Sequence, residues 1–205
     1  MPKNTDDLKK LIAFALLNKT SLIPRTAGTS LAGQVVGNGI VVDVSKHFTS
    51  IIELNETEHW VKVQPGVIRD ELNMFLKPHG LFFGPETSTA NRAMIGGMVG
   101  NNSCGSNSVV YRSTREHLLE VKALLSDGSE AEFKTISLDE FHNKCEGENL
   151  EASIYKTVRG LLSNYDNQVE IKKEFPKASV ERREHGLCCR YFIGCCAFYC
   201  RWRGF

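Results

Sequence analysis

Two stretches of the chain concentrate residues able to hold an anion. The first, Pro24-Arg25-Thr26-Ala27-Gly28-Thr29-Ser30-Leu31-Ala32-Gly33-Gln34, lies between two apolar runs. Its small residues let backbone N–H groups come close to an anion, Gly28 can take a positive φ, and Thr29 and Ser30 add hydroxyl donors, which together make a nest for a diphosphate. It is not a P-loop, because no Gly-Lys-Ser/Thr follows at the required spacing, and no Gly-x-Gly-x-x-Gly opens a helix here. Gly37-Asn38-Gly39 fails the same test, since Ile40-Val41-Val42 follows it directly. Taken alone, the stretch fits an ordinary surface loop equally well. The second runs from Phe83-Gly84-Pro85-Glu86-Thr87-Ser88-Thr89 into Ile95-Gly96-Gly97-Met98-Val99-Gly100-Asn101-Asn102-Ser103-Cys104-Gly105. With one such loop in each half, the chain could grip a long dinucleotide from two sides.

Both loops need a scaffold, and the hydrophobic pattern supplies an α+β one. Thr5 can cap a helix over residues 5–18 that opens with Asp6 and Asp7 and carries Leu8, Leu11, Ile12, Ala15 and Leu16 on one face. Short strands are expected at 21–24, 40–44, 50–54 and 59–63, and the Pro65-Gly66 turn opens a helix that stops near Pro78 and Gly80. Residues 84–111 show neither helical period nor alternation, and a loop that long is expected to be functional. Residues 118–126 and 129–133 read as a hairpin about Asp127-Gly128 with a type I′ turn. Ser137-Leu138-Asp139-Glu140 is a capping box, and residues 150–165 form a second amphipathic helix.

Composition excludes several classes. Of 205 residues, 41% are hydrophobic and 24% charged, and 25 Lys+Arg balance 24 Asp+Glu, so the chain is neither disordered by charge nor marked for nucleic acid. The longest apolar run, residues 191–200, is half the ~20 residues of a membrane span, and no signal-like segment follows Met1, so a cytoplasmic protein is expected. Five of the seven cysteines (Cys188, Cys189, Cys195, Cys196 and Cys200) crowd the C-terminal residues, yet zinc sites favour Cys-x2–4-Cys pairs and vicinal cysteines fit poorly. No metal site is expected.

The two loops, with Val63-Gln64-Pro65-Gly66, Thr114-Arg115-Glu116-His117 and the Asp127-Gly128 turn in order, resemble the PCMH-type FAD-binding domain of the vanillyl-alcohol-oxidase family. The resemblance lies in the branch that oxidises D-lactate, glycolate and D-2-hydroxyglutarate, and it covers residues 1–183. It implies two α+β lobes with FAD between them. It further implies that Arg25, Gly28, Thr29, Ser30, Leu31, Gly33 and Gln34 hold the diphosphate, while Pro85, Glu86, Thr87, Ser88, Gly96, Gly97, Asn101, Ser103 and Gly105 line the rest of the cofactor. Relatives that attach flavin covalently place a histidine where Thr29 stands, so FAD is expected to be non-covalent. A 2-hydroxy acid would be the substrate and a quinone, cytochrome or other acceptor would take the electrons. The flavin reductase of cell-wall precursor synthesis shares the fold but would need an NADPH and nucleotide-sugar site, which is not visible.

Several features depart from that pattern. Thr26 and Ala27 stand where many relatives have glycines. Cys104 reads as a small packed residue rather than a reactive thiol, His47, His59, His79, His117 and His142 as structural, and Lys172-Lys173-Glu174 as a solvated face. The family's first strand would precede Pro2-Lys3-Asn4, and its substrate-orienting residues lie in a cap domain further along, so the chain is expected to be a fragment with little or no turnover and no assignable catalytic residue. Relatives continue after Arg182-Arg183 with Asn-Thr-Gly-Tyr-Ala-Val. For one choice of codons, removing a single nucleotide restores that segment, so residues 184–205 are expected to be an out-of-frame tail. The alternative is a non-catalytic module that binds FAD, or a metal through the cysteine-rich tail.

Overall fold

The computed structural model describes residues 1–174 and 195–201. Helix α1 (Thr5–Leu17) is capped by Asn4 rather than Thr5: Asn4 is extended, and its Oδ1 accepts the Asp7 N–H at 2.9 Å. Leu8, Ile12 and Ala15 form its buried stripe, whereas Leu16, about 100° further round the helix, is 60% exposed. Strand β1 (Leu22–Arg25) pairs in parallel with β2 (Ile40–Asp43), with Leu22 opposite Ile40 and Arg25 opposite Asp43. The first loop is therefore the crossover between two parallel strands. In this smaller lobe Leu8 and Ile12 pack on Val42, Val44, Phe48 and Leu124.

The larger lobe is a five-stranded antiparallel sheet made of β3 (Ile51–Asn55), β4 (Trp60–Val63), β5 (Leu118–Leu124), β6 (Glu130–Lys134) and β7 (Cys195–Arg201), in the order β3-β4-β7-β5-β6. Helix α2 (Arg69–Leu76) buries Leu72 and Leu76 in a core with Val61, Val63, Phe83, Ile95 and Met98. Strand β5 ties the lobes together: Val121 and Ala123 belong to the larger core, while Leu124 enters the smaller one. The α+β architecture of two lobes is thus what the chain adopts.

Residues 84–111 are not structureless. They contain α3 (Ile95–Asn101) and α4 (Ser108–Tyr111), and α3 buries Ile95, Met98 and Val99 at helical spacing despite three glycines. The hairpin forms where expected but with a different turn. Gly128 alone is left-handed (φ 84°), its N–H donates to the Leu125 C=O at 2.9 Å, and Asp127 Oδ1 accepts from the Ser129 N–H at 2.9 Å. A type I′ turn needs positive φ at both central residues, and this Asx-supported turn has it only at the glycine. The expected capping box opens α5 (Leu138–Glu146), and α6 (Leu150–Ser163) ends at extended Asn164 before α7 (Tyr165–Glu174), whose Lys172 and Lys173 are exposed. Of the tail, β7 is described as a strand, and residues 184–194 and 202–205 lie outside the described residues.

Candidate functional site

The first wall of the site begins at the end of β1. The Arg25 guanidinium reaches Asp43 Oδ2 at 3.3 Å through Nη1 and donates from Nη2 to the Ala27 C=O at 3.4 Å, which turns the loop back over the strand that follows it. Burial opposes the charge of Asp43, but hydrogen bonds from Ser45 and the nearby Arg25 outweigh it and hold the carboxyl below its ordinary value. Gly28 has φ +68°, a left-handed conformation that favours glycine, and a Cβ there would stand 2.9 Å from Arg25 Nε, so that the arginine side chain would have to shift. Ser30 Oγ bonds Gln34 Oε1. Among the described residues, the N–H groups of residues 27–32 have no protein acceptor.

The second wall is built by close approach. Gly96 donates its N–H to the Pro65 C=O at 2.8 Å, and a Cβ on Gly96 would lie 2.5 Å from Pro65 Cβ. A Cβ on Gly97 would lie 2.5 Å from Thr26 Oγ1, so the two loops meet there. Left-handed Asn102 (φ 48°) closes α3, and its Oδ1 accepts the Arg115 N–H at 3.0 Å. The next carbonyl, of Ser103, accepts from Thr114 N–H at 3.0 Å and from its Oγ1 at 2.7 Å.

Between the walls is a cleft of about 840 Å³, within the usual range for small-molecule sites. The structure brings Arg25, Gly28, Thr29, Ser30, Leu31, Gln34, Thr87, Ser88, Gly96, Gly97, Asn101 and Ser103 to its lining. Gly33, Pro85, Glu86 and Gly105 lie outside the lining. Pro85 is buried, Glu86 Oε2 accepts from Asn107 Nδ2 at 2.6 Å, and a Cβ on Gly105 would meet the Glu86 carbonyl oxygen at 2.4 Å, so these residues shape the wall from behind. Sequence reasoning missed the apolar floor, formed by Leu8, Ile12, Val42 and Leu124, and it missed Asn102. The helical period marks Leu8 and Ile12 as inward, yet nothing in it says that they face a ligand. For Asn102, the signal was its left-handed tolerance at a helix end.

Arg25 is the single charged side chain of the lining, which holds no carboxylate, histidine or lysine among the described residues. Arg25 Nε and Asn102 Nδ2 are buried without a protein partner, and a sealed donor of this kind costs about 1–3 kcal/mol unless something satisfies it. Unpaired amides, hydroxyls, one guanidinium and an apolar floor suit a ligand with anionic and aromatic parts.

A sequence model of the family described as FAD binding domain matches residues 1–134, which include both loops. The chain belongs to the FAD binding domain family. It is 47% identical over 130 residues to the D-2-hydroxyglutarate dehydrogenase of Haemophilus influenzae, across 62% of this chain and 13% of that protein. It is also 38% identical over 180 residues to the D-2-hydroxyglutarate dehydrogenase of Pseudomonas putida, across 86% of this chain and 18% of that one. The chain thus spans less than a fifth of either relative. A solved alkyldihydroxyacetonephosphate synthase shares the fold with a TM-score of 0.61 at 14% identity, over 99% of this chain and 31% of the other. The donor set of the cleft fits FAD: the unpaired amides of residues 27–32 and Arg25 suit its diphosphate, and Thr87, Ser88 and Asn101 face the same space.

Other candidate groups of this FAD-binding domain are engaged in the scaffold. His79 Nδ1 bonds Glu56 at 2.9 Å, and His117 Nε2 bonds the Tyr111 C=O at 2.6 Å while its ring meets Phe83 edge-on. Cys104 lines the cleft and is half-buried, and Cys145 is buried in α5. Among the described residues, no helix is long and apolar enough to cross a membrane, and no three His, Cys, Asp or Glu side chains converge.

Proposed function

We propose that the chain is the FAD-holding part of a flavin-dependent oxidoreductase that converts a D-2-hydroxy acid to the 2-oxo acid, with FAD held non-covalently. The observation that carries this reading is the 47% identity, over 130 residues, to a protein named D-2-hydroxyglutarate dehydrogenase. When bound, FAD supplies an acceptor for the hydride of the substrate α-carbon. The chain supplies the grip. Backbone N–H groups of the first loop and the Arg25 guanidinium would neutralise the diphosphate, Thr29 would donate a hydroxyl hydrogen bond to it while the Ser30 hydroxyl is given to Gln34, and the floor of Leu8, Ile12 and Leu124 would keep water from the apolar part. Thr29, in the position of the covalently linked histidine of other family members, favours reversible binding.

Among the described residues, the lining holds no side chain suited to take the proton of a substrate hydroxyl, which supports a cofactor-holding role with little or no turnover. The same observation favours a second reading, a module that binds FAD without chemistry. Incubation with FAD, desalting and an absorption scan test the shared claim, and acid precipitation should then release the flavin to the supernatant. Dye reduction with D-2-hydroxyglutarate, D-lactate and glycolate separates the readings. Substrate-dependent reduction, however slow, overturns the module, and a colourless folded protein overturns both.

A further inference from the structure

Thr87 and Ser88 reach the cleft from a segment that is itself neither strand nor helix. Residues 81–87 lie outside any strand or helix, and the buried carbonyls of such a segment need donors from elsewhere. They come from one face of α2. Arg69 donates from Nε to the Pro85 C=O at 3.1 Å and from Nη2 to the Phe83 C=O at 3.2 Å, while Asn73, one turn on, exchanges two hydrogen bonds with Phe83, at 2.6 and 3.2 Å. The carbonyls of Phe83 and Pro85 thus converge on one guanidinium. The planar guanidinium fork can span both, whereas the ammonium of a lysine is a single point. Asp70 Oδ1 accepts from Nη1 at 2.9 Å and holds the fork in plane, and the Arg69 side chain is only 15% exposed.

The far end of the segment is fastened to the same helix end. The Arg69 N–H donates to the Ala93 C=O at 2.9 Å, and the Asp70 N–H donates to the Ala90 C=O at 3.3 Å. Residues 86–89 are therefore suspended between two anchors, and both of them include Arg69. Arg69 itself is outside the cleft lining.

We infer that Arg69 is a positioning residue of the cofactor cleft, setting the backbone of residues 83–89 so that Thr87 and Ser88 meet the ligand. The inference rests on the reading of the cleft as an FAD site and adds a residue that never touches the cofactor. Loss of the fork would release the Pro85 carbonyl, next to Thr87 and Ser88, while Asn73 still holds Phe83 and the core residues Phe83 and Leu72 keep their places.

The test is a titration of the full chain with FAD, followed by flavin fluorescence well below the melting temperature, for wild type, Arg69→Met, Arg69→Lys and Lys144→Met. Arg69→Met keeps the apolar stem and should weaken FAD binding about tenfold or more, the scale of one hydrogen bond to a charged group. Arg69→Lys should recover part of that loss. Lys144→Met breaks the Lys144–Glu151 pair on α5 and α6, away from the cleft, and should lower the melting temperature with the FAD dissociation constant unchanged. An Arg69→Met chain that is folded by circular dichroism at the assay temperature and binds FAD like wild type overturns the inference alone. Equal losses in Arg69→Met and Lys144→Met also overturn it, since binding would then follow stability. A wild-type chain that binds no FAD overturns the reading of the cleft, and the inference with it.

Discussion

The two walls of the cleft are built on opposite plans. Residues 27–32 carry a row of N–H groups that meet no protein acceptor among the described residues, and Leu31 at their tip is fully exposed. Residues 83–105 are fastened at every turn, by Arg69 and Asn73, by the contact of Gly96 with Pro65, and by Thr114 on the Ser103 carbonyl. One wall is braced by the protein itself, and the other leaves its donors open. A rigid surface fixes where a ligand sits, and an adaptable one can close on its charged part after arrival.

The contrast can be broken at single residues. Gly96→Ala should have the largest effect on stability, because the new Cβ meets a proline ring at 2.5 Å that cannot swing away. A loss of about 1–3 kcal/mol is expected in urea unfolding of the FAD-free chain, and a loss below the error of the fit would mean that the second wall is as pliable as the first. Gly28→Ala should cost less, about 1–2 kcal/mol for a left-handed residue with a Cβ. Its main effect should instead be weaker FAD binding, because the new Cβ crowds Arg25 Nε at the centre of the nest. Paired unfolding and fluorescence titrations measure both quantities.

The smallest effect concerns pH. Asp43 titrates in the folded chain below its ordinary value of 3.8, so its contribution to stability is complete above that value and is lost as pH falls through the lowered one. Asp43→Asn should therefore leave the wild-type and variant stability curves converging in that acid window, with the wild type ahead at neutral pH. Parallel curves would show that the Arg25–Asp43 contact does not hold the base of the first loop.

Much of this was legible in the sequence, for identifiable reasons. The strands at Ile40–Asp43 and Trp60–Val63 are β-branched or aromatic runs beside turn residues, and the capping box at Ser137 fixes a helix start. Helix α3 escaped notice because Gly96, Gly97 and Gly100 erase the local propensity, and the burial of Ile95, Met98 and Val99 that stabilises it is tertiary. The turn at Gly128 was placed correctly but mistyped, since Asp127 spends its side chain on Ser129 instead of entering the left-handed region. Both loops of the site were visible in composition. The apolar floor and the part of Arg69 were not, because each depends on which elements the fold brings face to face.

With FAD seated as proposed, the unpaired amides of the first loop would make the cofactor a component of the fold. A ligand that binds only the folded chain stabilises it by mass action, by about 2.7 kcal/mol at a free concentration one hundred times the dissociation constant. That is a substantial part of what holds a domain of this size together. On that reading, the persistence of this polypeptide against unfolding and proteolysis would be tied to flavin supply, durable where FAD is plentiful and short-lived where it is scarce.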